Sequence, residues 1–211
     1  MARRVLVVGA TGGTGKLVVA QALQRGHEVT ALVRNPQRLA LSHERLRVLT
    51  GSMAENGSAL DAAVRGQSAV ISTLGVGNSL RSSGLIAHSV PALVRAMESE
   101  GVRRLIFTSA FGVGATRADV PLLPRILIHL FLRDIYADKE AGEEELRRSN
   151  LDWTLVYPVT LTNGPKTGHY RVGQHLALHG LPSVSRADVA DFLLTQVEDH
   201  TYFRKGVLIS S

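Results

Sequence analysis

The stretch that most restricts the fold of this chain is Val5-Leu-Val-Val8, followed by Gly9-Ala-Thr-Gly12-Gly-Thr-Gly15 and then Lys16–Arg25. Four apolar residues, three of them valine, read as a strand buried on both faces. The glycines make a turn, and the residues after them run on at helical length. A strand, a glycine-rich turn and a helix in that order form the context in which such a pattern binds a dinucleotide. Gly9 permits the tight turn, Gly12 lets a pyrophosphate approach the backbone, and Gly15 lets the helix pack close to the strand. The first N–H groups of the helix have no partners inside it and point at the phosphates, where Gly13 adds no bulk and Thr11 and Thr14 add hydroxyls.

The same alternation continues downstream. Glu28–Val33, Arg45–Thr50, Ser68–Thr73 and Arg103–Thr108 read as strands two to five, with helices near Ala59–Arg65 and Ser83–Glu100. A long helix is expected from about Pro124 to Ser149, then strand six at Leu151–Tyr157 and a last strand at Gly206–Ser210. Ser185-Arg-Ala-Asp188 has the form of a capping box opening a helix through Val197. This rhythm predicts an α/β fold of Rossmann type, doubly wound, with a mainly parallel sheet and helices on both faces. Length and the lack of repeats or linkers predict one domain over residues 1–211, with 110–185 supplying the substrate side. Ligands of such sheets bind beyond the carboxyl ends of the strands, so residues just after each strand are the candidates.

Position then selects the cofactor. Strand two ends in Val33-Arg34-Asn35-Pro36-Gln37-Arg38, where NAD-selective sites present an acid to the ribose 2′-hydroxyl. Two guanidinium groups suit a 2′-phosphate and leave nothing to accept a bond from a bare hydroxyl. NADP(H) is therefore expected, the alternative being that Arg34 and Arg38 are solvated surface charges. Leu74 and Gly75, in the small-residue turn Thr73–Gly77, fit the passage of the cofactor's central ribose. Strand five ends in Thr108-Ser109-Ala110, which puts the Ser109 hydroxyl at the sheet edge near the nicotinamide. A serine there can equally satisfy a backbone group.

These residues resemble the atypical short-chain dehydrogenase/reductases. The likeness is to the NAD(P)H-binding group that includes flavin reductase, also called biliverdin-IXβ reductase, and the NmrA-like sensors. It is carried by the glycine turn, Leu32-Val-Arg34, Thr108-Ser109-Ala110, Lys139 with Glu143, and Leu151-Asp-Trp-Thr154 before Pro158. Thr167–Tyr170 and Ser185–Ala190 extend it over nearly the whole chain. It implies that Ser109 and Lys139 assist catalysis and that Tyr157, Pro158 and Thr160, at the end of strand six, lie on the cofactor side. Two departures stand out. The family's Tyr-x-x-x-Lys pair is absent: Tyr136 lies three residues before Lys139, about 100° round the helix from the required direction, and Ile135 occupies that place. Thr160 stands where the flavin-reductase relatives carry a histidine. Tyr136 is thus expected to pack, whereas Lys139 either serves the cofactor ribose or faces solvent in an i, i+4 pair with Glu143.

The remaining features narrow the class. With no cysteine, disulfides, thiol catalysis and Cys-ligated metals are excluded, and a cytoplasmic setting fits. His175 and His179 lack an evident third ligand, so no metal is expected. His129 reads as packed, and Asn56-Gly57-Ser58 reads as a turn. The net charge of +6 comes from scattered arginines with few aromatics, which suits a phosphate-bearing small ligand better than nucleic acid. The longest apolar run, Ile126–Leu132, is too short to span a membrane, and the wider Leu122–Leu132 stretch suits core, a pocket wall or a homodimer contact. A monomer or homodimer acting on a small-molecule acceptor is expected. Three readings follow: an NADPH-dependent oxidoreductase passing hydride to a flavin, quinone or similar conjugated acceptor; a non-catalytic NADP(H)-binding sensor; or a biosynthetic ketone or enone reductase.

Overall fold

The computed structural model describes residues 1–53, 58–75, 77, 83–120 and 132–211. Its strands and helices follow in the order β1 (Arg4–Val8), α1 (Gly13–Gln24), β2 (Glu28–Val33), β3 (Leu46–Thr50), α2 (Ser58–Val64), β4 (Ala69–Ser72), α3 (Leu85–Ser99) and β5 (Arg104–Thr108). Then come α4 (Arg133–Arg148), β6 (Asp152–Pro158), β7 (Thr160–Thr162), β8 (Arg171–Gly173), β9 (Ser183–Ser185), α5 (Arg186–Thr195) and β10 (Lys205–Ser210). Eight strands form one sheet in the order β3-β2-β1-β4-β5-β6-β10-β8, while β7 and β9 pair separately. All neighbours in the large sheet are parallel except β10 with β8. Strand order reverses between β1 and β4, and the glycine turn leaves the sheet at that point.

The period-two geometry of a strand divides β1 between two cores. Val5 and Val7 face α1 and α5, packing with Val19, Leu23 and Leu193. Leu6 and Val8 face α2 and α3, packing with Leu60, Ile86 and Leu93. Burial on both sides explains why this segment reads as a continuous apolar run.

The expected elements recur with ends shifted by a residue or two. The long helix is described from Arg133; its expected start at 124–131 lies outside the described residues, as do His129, Asn56, Gly57 and Val76. The capping box is only half built. Ser185 accepts from the Asp188 N–H at 2.9 Å, but the Asp188 carboxylate does not return to the Ser185 N–H. It accepts instead from the N–H groups of Thr167 and Gly168 at 2.8 and 2.9 Å, holding the Thr167–Tyr170 turn against α5.

Candidate active site

The glycine turn is shaped by contacts that leave no room for side chains. Gly9 has φ +79°, and a Cβ there would stand 2.7 Å from the Thr73 carbonyl. At Gly15 a Cβ would run into the Gly9 carbonyl oxygen. That oxygen accepts from the Gly12 N–H at 3.0 Å and from Thr73 Oγ1 at 3.2 Å, so the turn is stitched to the end of β4.

Gly12 caps α1 with no side-chain bond to the helix N–H groups, and the first turn contains no acid. Both Gly12 and Gly13 are exposed. The positive end of the helix dipole is therefore uncompensated by the protein, which suits an anion. This glycine cradle, which has no side chains of its own at Gly12 and Gly13, fits the diphosphate of a dinucleotide.

A cavity of about 290 Å³ lies along the carboxyl ends of β1, β2 and β4. Its lining includes Gly9, Thr11, Gly12, Arg34, Arg38, Leu74 and Gly75. The Asn35 side chain accepts from the Gln37 N–H at 3.0 Å, turning the chain after β2 into a short 3₁₀ helix, Pro36–Arg38. That turn brings Arg34 and Arg38 to one cavity, both exposed and, among the described residues, without an ion-pair partner. Gly13 and Thr14 stand beside it in the first turn of α1.

Sequence reasoning missed Arg186. Its stem crosses the start of α1, where a Cβ on Gly13 would lie 3.1 Å from Arg186 Cδ and Nε. Nη1 donates to Asn163 Oδ1 at 2.7 Å, a neutral partner, so the cation keeps its full charge beside the phosphate cradle. No local pattern ties residue 186 to residue 13. The signal is tertiary, in the packing of α5 on α1.

The second half of the site lies at the ends of β5 and β6 and is built from buried polar side chains. Lys139 is only 9% exposed, and Nζ donates to the Thr108 carbonyl at 3.4 Å. Burial pushes its ammonium down to about 8, against the pull of Glu143 and Asp138. Asp138 itself caps α3, accepting from the N–H groups of Ile86 and Ala87 at 3.0 and 2.8 Å.

The surface ion pair allowed for Lys139 and Glu143 is therefore not what forms. Glu143 is 0% exposed and lies 2.5 Å from Ser109 Oγ through Oε1. Its Oε2 accepts from Tyr157 Oη at 2.8 Å and from Arg147 Nη2 at 3.1 Å. Burial raises the Glu143 carboxyl above the usual carboxylate range, outweighing Ser109, Tyr157 and Arg147, which pull it down.

The structure thus separates the sequence-predicted residues into two groups. Ser109 and Lys139 do not line the phosphate cavity. The Tyr157 side chain turns inward to Glu143, and its hydroxyl is pushed further up, by burial and then by Glu143. Pro158 accepts at its carbonyl from the Phe111 N–H at 3.1 Å, and Thr160 is exposed at the start of β7. Tyr136 is half-buried and donates from Oη to the Phe111 carbonyl at 3.1 Å, with burial raising its phenol. Among the described residues no group of three or more metal-ligating side chains comes together, His175 and His179 included. No helix among them is long and apolar enough to cross a membrane.

A doubly wound parallel sheet with a glycine cradle at its switch point defines a Rossmann-type nucleotide-binding protein. Residues 9–200 match the NAD(P)H-binding family model, and the chain belongs to that family. It is similar to the photosystem II assembly factor Ycf39 of Synechocystis, with 29% identity over 96% of this chain and 60% of that protein. An uncharacterized chloroplastic protein of Arabidopsis thaliana is 30% identical over 79% of this chain and 62% of its own length. The chain thus spans about three fifths of these two curated relatives.

Among solved structures, a Veillonella parvula short-chain dehydrogenase/reductase in complex with NADP superimposes with a TM-score of 0.80 at 22% identity, over 100% of this chain and 95% of that one. ChuY, an anaerobilin reductase from Escherichia coli, gives 0.79 at 24% identity, over 98% and 96%. Both support the fold.

Proposed function

We propose that this chain is an NADPH-dependent oxidoreductase that passes hydride to a flavin, quinone or similar conjugated acceptor. In this reading one domain does the work, with residues 110–185 forming the acceptor side. The observation that carries it is the buried cluster of Ser109, Lys139 and Glu143 at the carboxyl end of β5. Holding a dinucleotide needs the glycine turn and the arginines. It does not need a lysine and a carboxylic acid taken out of water, a costly arrangement that is concentrated at catalytic sites.

The residues divide the task. Arg34 and Arg38 select the 2′-phosphate, while Gly12, Gly13 and the N–H groups of α1 hold the diphosphate, with Arg186 beside them. The bound nicotinamide supplies the hydride. Ser109 meets the acceptor or the nicotinamide amide. Lys139 bonds the nicotinamide ribose or holds positive charge near the reduced acceptor. Conjugated acceptors stabilise added charge themselves, which suits a site without the family's tyrosine.

A second reading has one observation in its favour. A relative named as an assembly factor suggests a regulator that binds NADP(H) without turning it over. Titrating NADPH and NADH by fluorescence, then following NADPH absorbance with FMN, menadione and small enones, tests both readings. Consumption of NADPH by any acceptor supports the reductase. Tight NADPH binding with no consumption supports the regulator.

A further inference from the structure

A hydride acceptor must also gain a proton, and this site lacks the tyrosine that would give one. We propose that Glu143 is the proton reservoir of the site: its carboxyl passes a proton through Ser109, whose hydroxyl protonates the acceptor. The inference rests on the reductase reading.

The placement of the hydrogen bonds assigns the path. Oε2 of Glu143 already receives two donors, Tyr157 Oη and Arg147 Nη2, and has no place for a proton of its own. Among the described residues Oε1 meets only Ser109 Oγ, at 2.5 Å, short even for bonds between hydroxyl and carboxyl oxygens. A proton held by the carboxyl therefore sits on Oε1 and points at Ser109. Ser109 immediately follows β5, at the carboxyl end of the sheet, where ligands of such folds bind.

Among the described residues the groups facing Glu143 are few. On its own helix they are Lys139, Arg147 and Asp138, the last engaged with α3. From β6 comes Tyr157, from the end of β5 comes Ser109, and the backbone of Gly114 closes the remaining side. The neighbouring part of α3 contributes only the apolar Ile86 and Val90, packed on Gly142. Loss of water around the carboxyl raises it above the usual carboxylate range, although Ser109, Tyr157 and Arg147 each pull it down.

When bound, NADPH would supply the hydride, one hydrogen with two electrons, and be left as NADP⁺. Negative charge grows on the acceptor oxygen or nitrogen. The Ser109 O–H bond breaks as a new O–H or N–H bond forms on the acceptor. Ser109 recovers its proton from Glu143 Oε1, leaving a carboxylate that Tyr157 and Arg147 hold through Oε2. Once the product leaves, water in the acceptor position returns a proton through the Ser109 hydroxyl to Glu143 Oε1, the side of the carboxyl that Tyr157 and Arg147 leave open. The net uptake is one hydride and one proton per turnover.

Glu143→Gln tests the relay, since glutamine keeps the shape and can still bond Ser109 but holds no titratable proton. With NADPH and menadione, kcat is expected to fall at least tenfold, within the range attributed to general acid catalysis. Below the Lys139 transition near pH 8 its decline with rising pH is expected to vanish, while the Kd for NADPH stays within twofold. Glu143→Asp should restore part of the rate and the pH dependence. Infrared difference spectra against the variant should show a protonated carboxyl in the parent near neutral pH. If Glu143→Gln does not fold, Ser109→Ala must lose the same pH dependence.

A parent-like rate and pH profile in Glu143→Gln overturns the relay and leaves the reductase reading intact. So does a Glu143 that is already ionised at pH 6. A parent protein that binds NADPH but consumes none with any acceptor removes both.

Discussion

The two halves of the site are made of different materials. Around Gly9–Gly15 the half proposed to hold the cofactor is mostly backbone: a turn with no room for side chains at Gly9 and Gly15, exposed glycines at 12 and 13, and two exposed arginines on the cavity. Around Ser109 and Glu143 the half proposed to meet the acceptor is side chain, with a carboxylic acid and a lysine buried and hydrogen-bonded to residues on three elements. The first half needs shape, and the second needs charge kept from water. Substitutions should therefore fail differently: by sterics in the first half, by chemistry and pH in the second.

The largest effect is expected in the glycine turn. A Cβ on Gly12 would meet only the Gly9 carbonyl oxygen, at 3.3 Å, so Gly12→Val should fold yet lose measurable NADPH binding. Gly15→Ala should instead destabilise the protein, because its Cβ has nowhere to go against Gly9 and Thr73. Thermal melts with and without NADPH separate the two. A Gly12→Val protein that binds NADPH normally would break the first half of the comparison.

Next in size are the chemical variants. Ser109→Ala and Lys139→Ala should each slow turnover by about 10², the usual scale for a donor that stabilises developing charge. Tyr136→Phe, which loses only a bond to the Phe111 carbonyl, should stay within about twofold of the parent, as steady-state kinetics will show.

Smaller effects sort the arginines. Arg34→Ala should weaken NADPH about tenfold, or about 1.4 kcal/mol, and leave NADH unchanged. Arg186→Gln, beside the phosphate cradle, should weaken both cofactors about equally and by several-fold, which calorimetric titration can resolve.

A separate effect falls on stability rather than on binding or turnover. Lys139 has its folded-state value near 8 against an ordinary value of 10.5. Between those values the unfolded chain still holds the proton that the folded chain has released, so folding grows more favourable as pH rises through the window. Lys139→Gln lacks this dependence. Its melting temperature relative to the parent should stand highest near neutral pH and decline from about pH 8 upward.

The same contrast explains what the sequence made legible. The glycine turn, its strand and its helix are neighbours along the chain, and each glycine answers a local need that spacing reveals. Arg34 and Arg38 follow from their place at the end of β2. Glu143 was visible only as a helix residue four after Lys139, a spacing that ordinarily marks a solvent-facing pair. What buries it is remote: Ser109 lies 34 residues away and Tyr157 lies 14 away. One local hint existed. Lys139, Gly142, Glu143 and Leu146 share a helical stripe, and the glycine lets α3 approach through Ile86 and Val90. Arg186 and Asp188 were read as parts of a helix start, and their contacts with Gly13 and Thr167 needed the assembled fold.

The most direct test of the reductase reading is a single turnover with excess protein, NADPH bound first and menadione or FMN mixed in. The account predicts loss of the NADPH absorbance at a rate slowed by deuterium at the nicotinamide C4. Bound NADPH that stays unoxidised with every acceptor would contradict it and leave a cofactor-binding regulator.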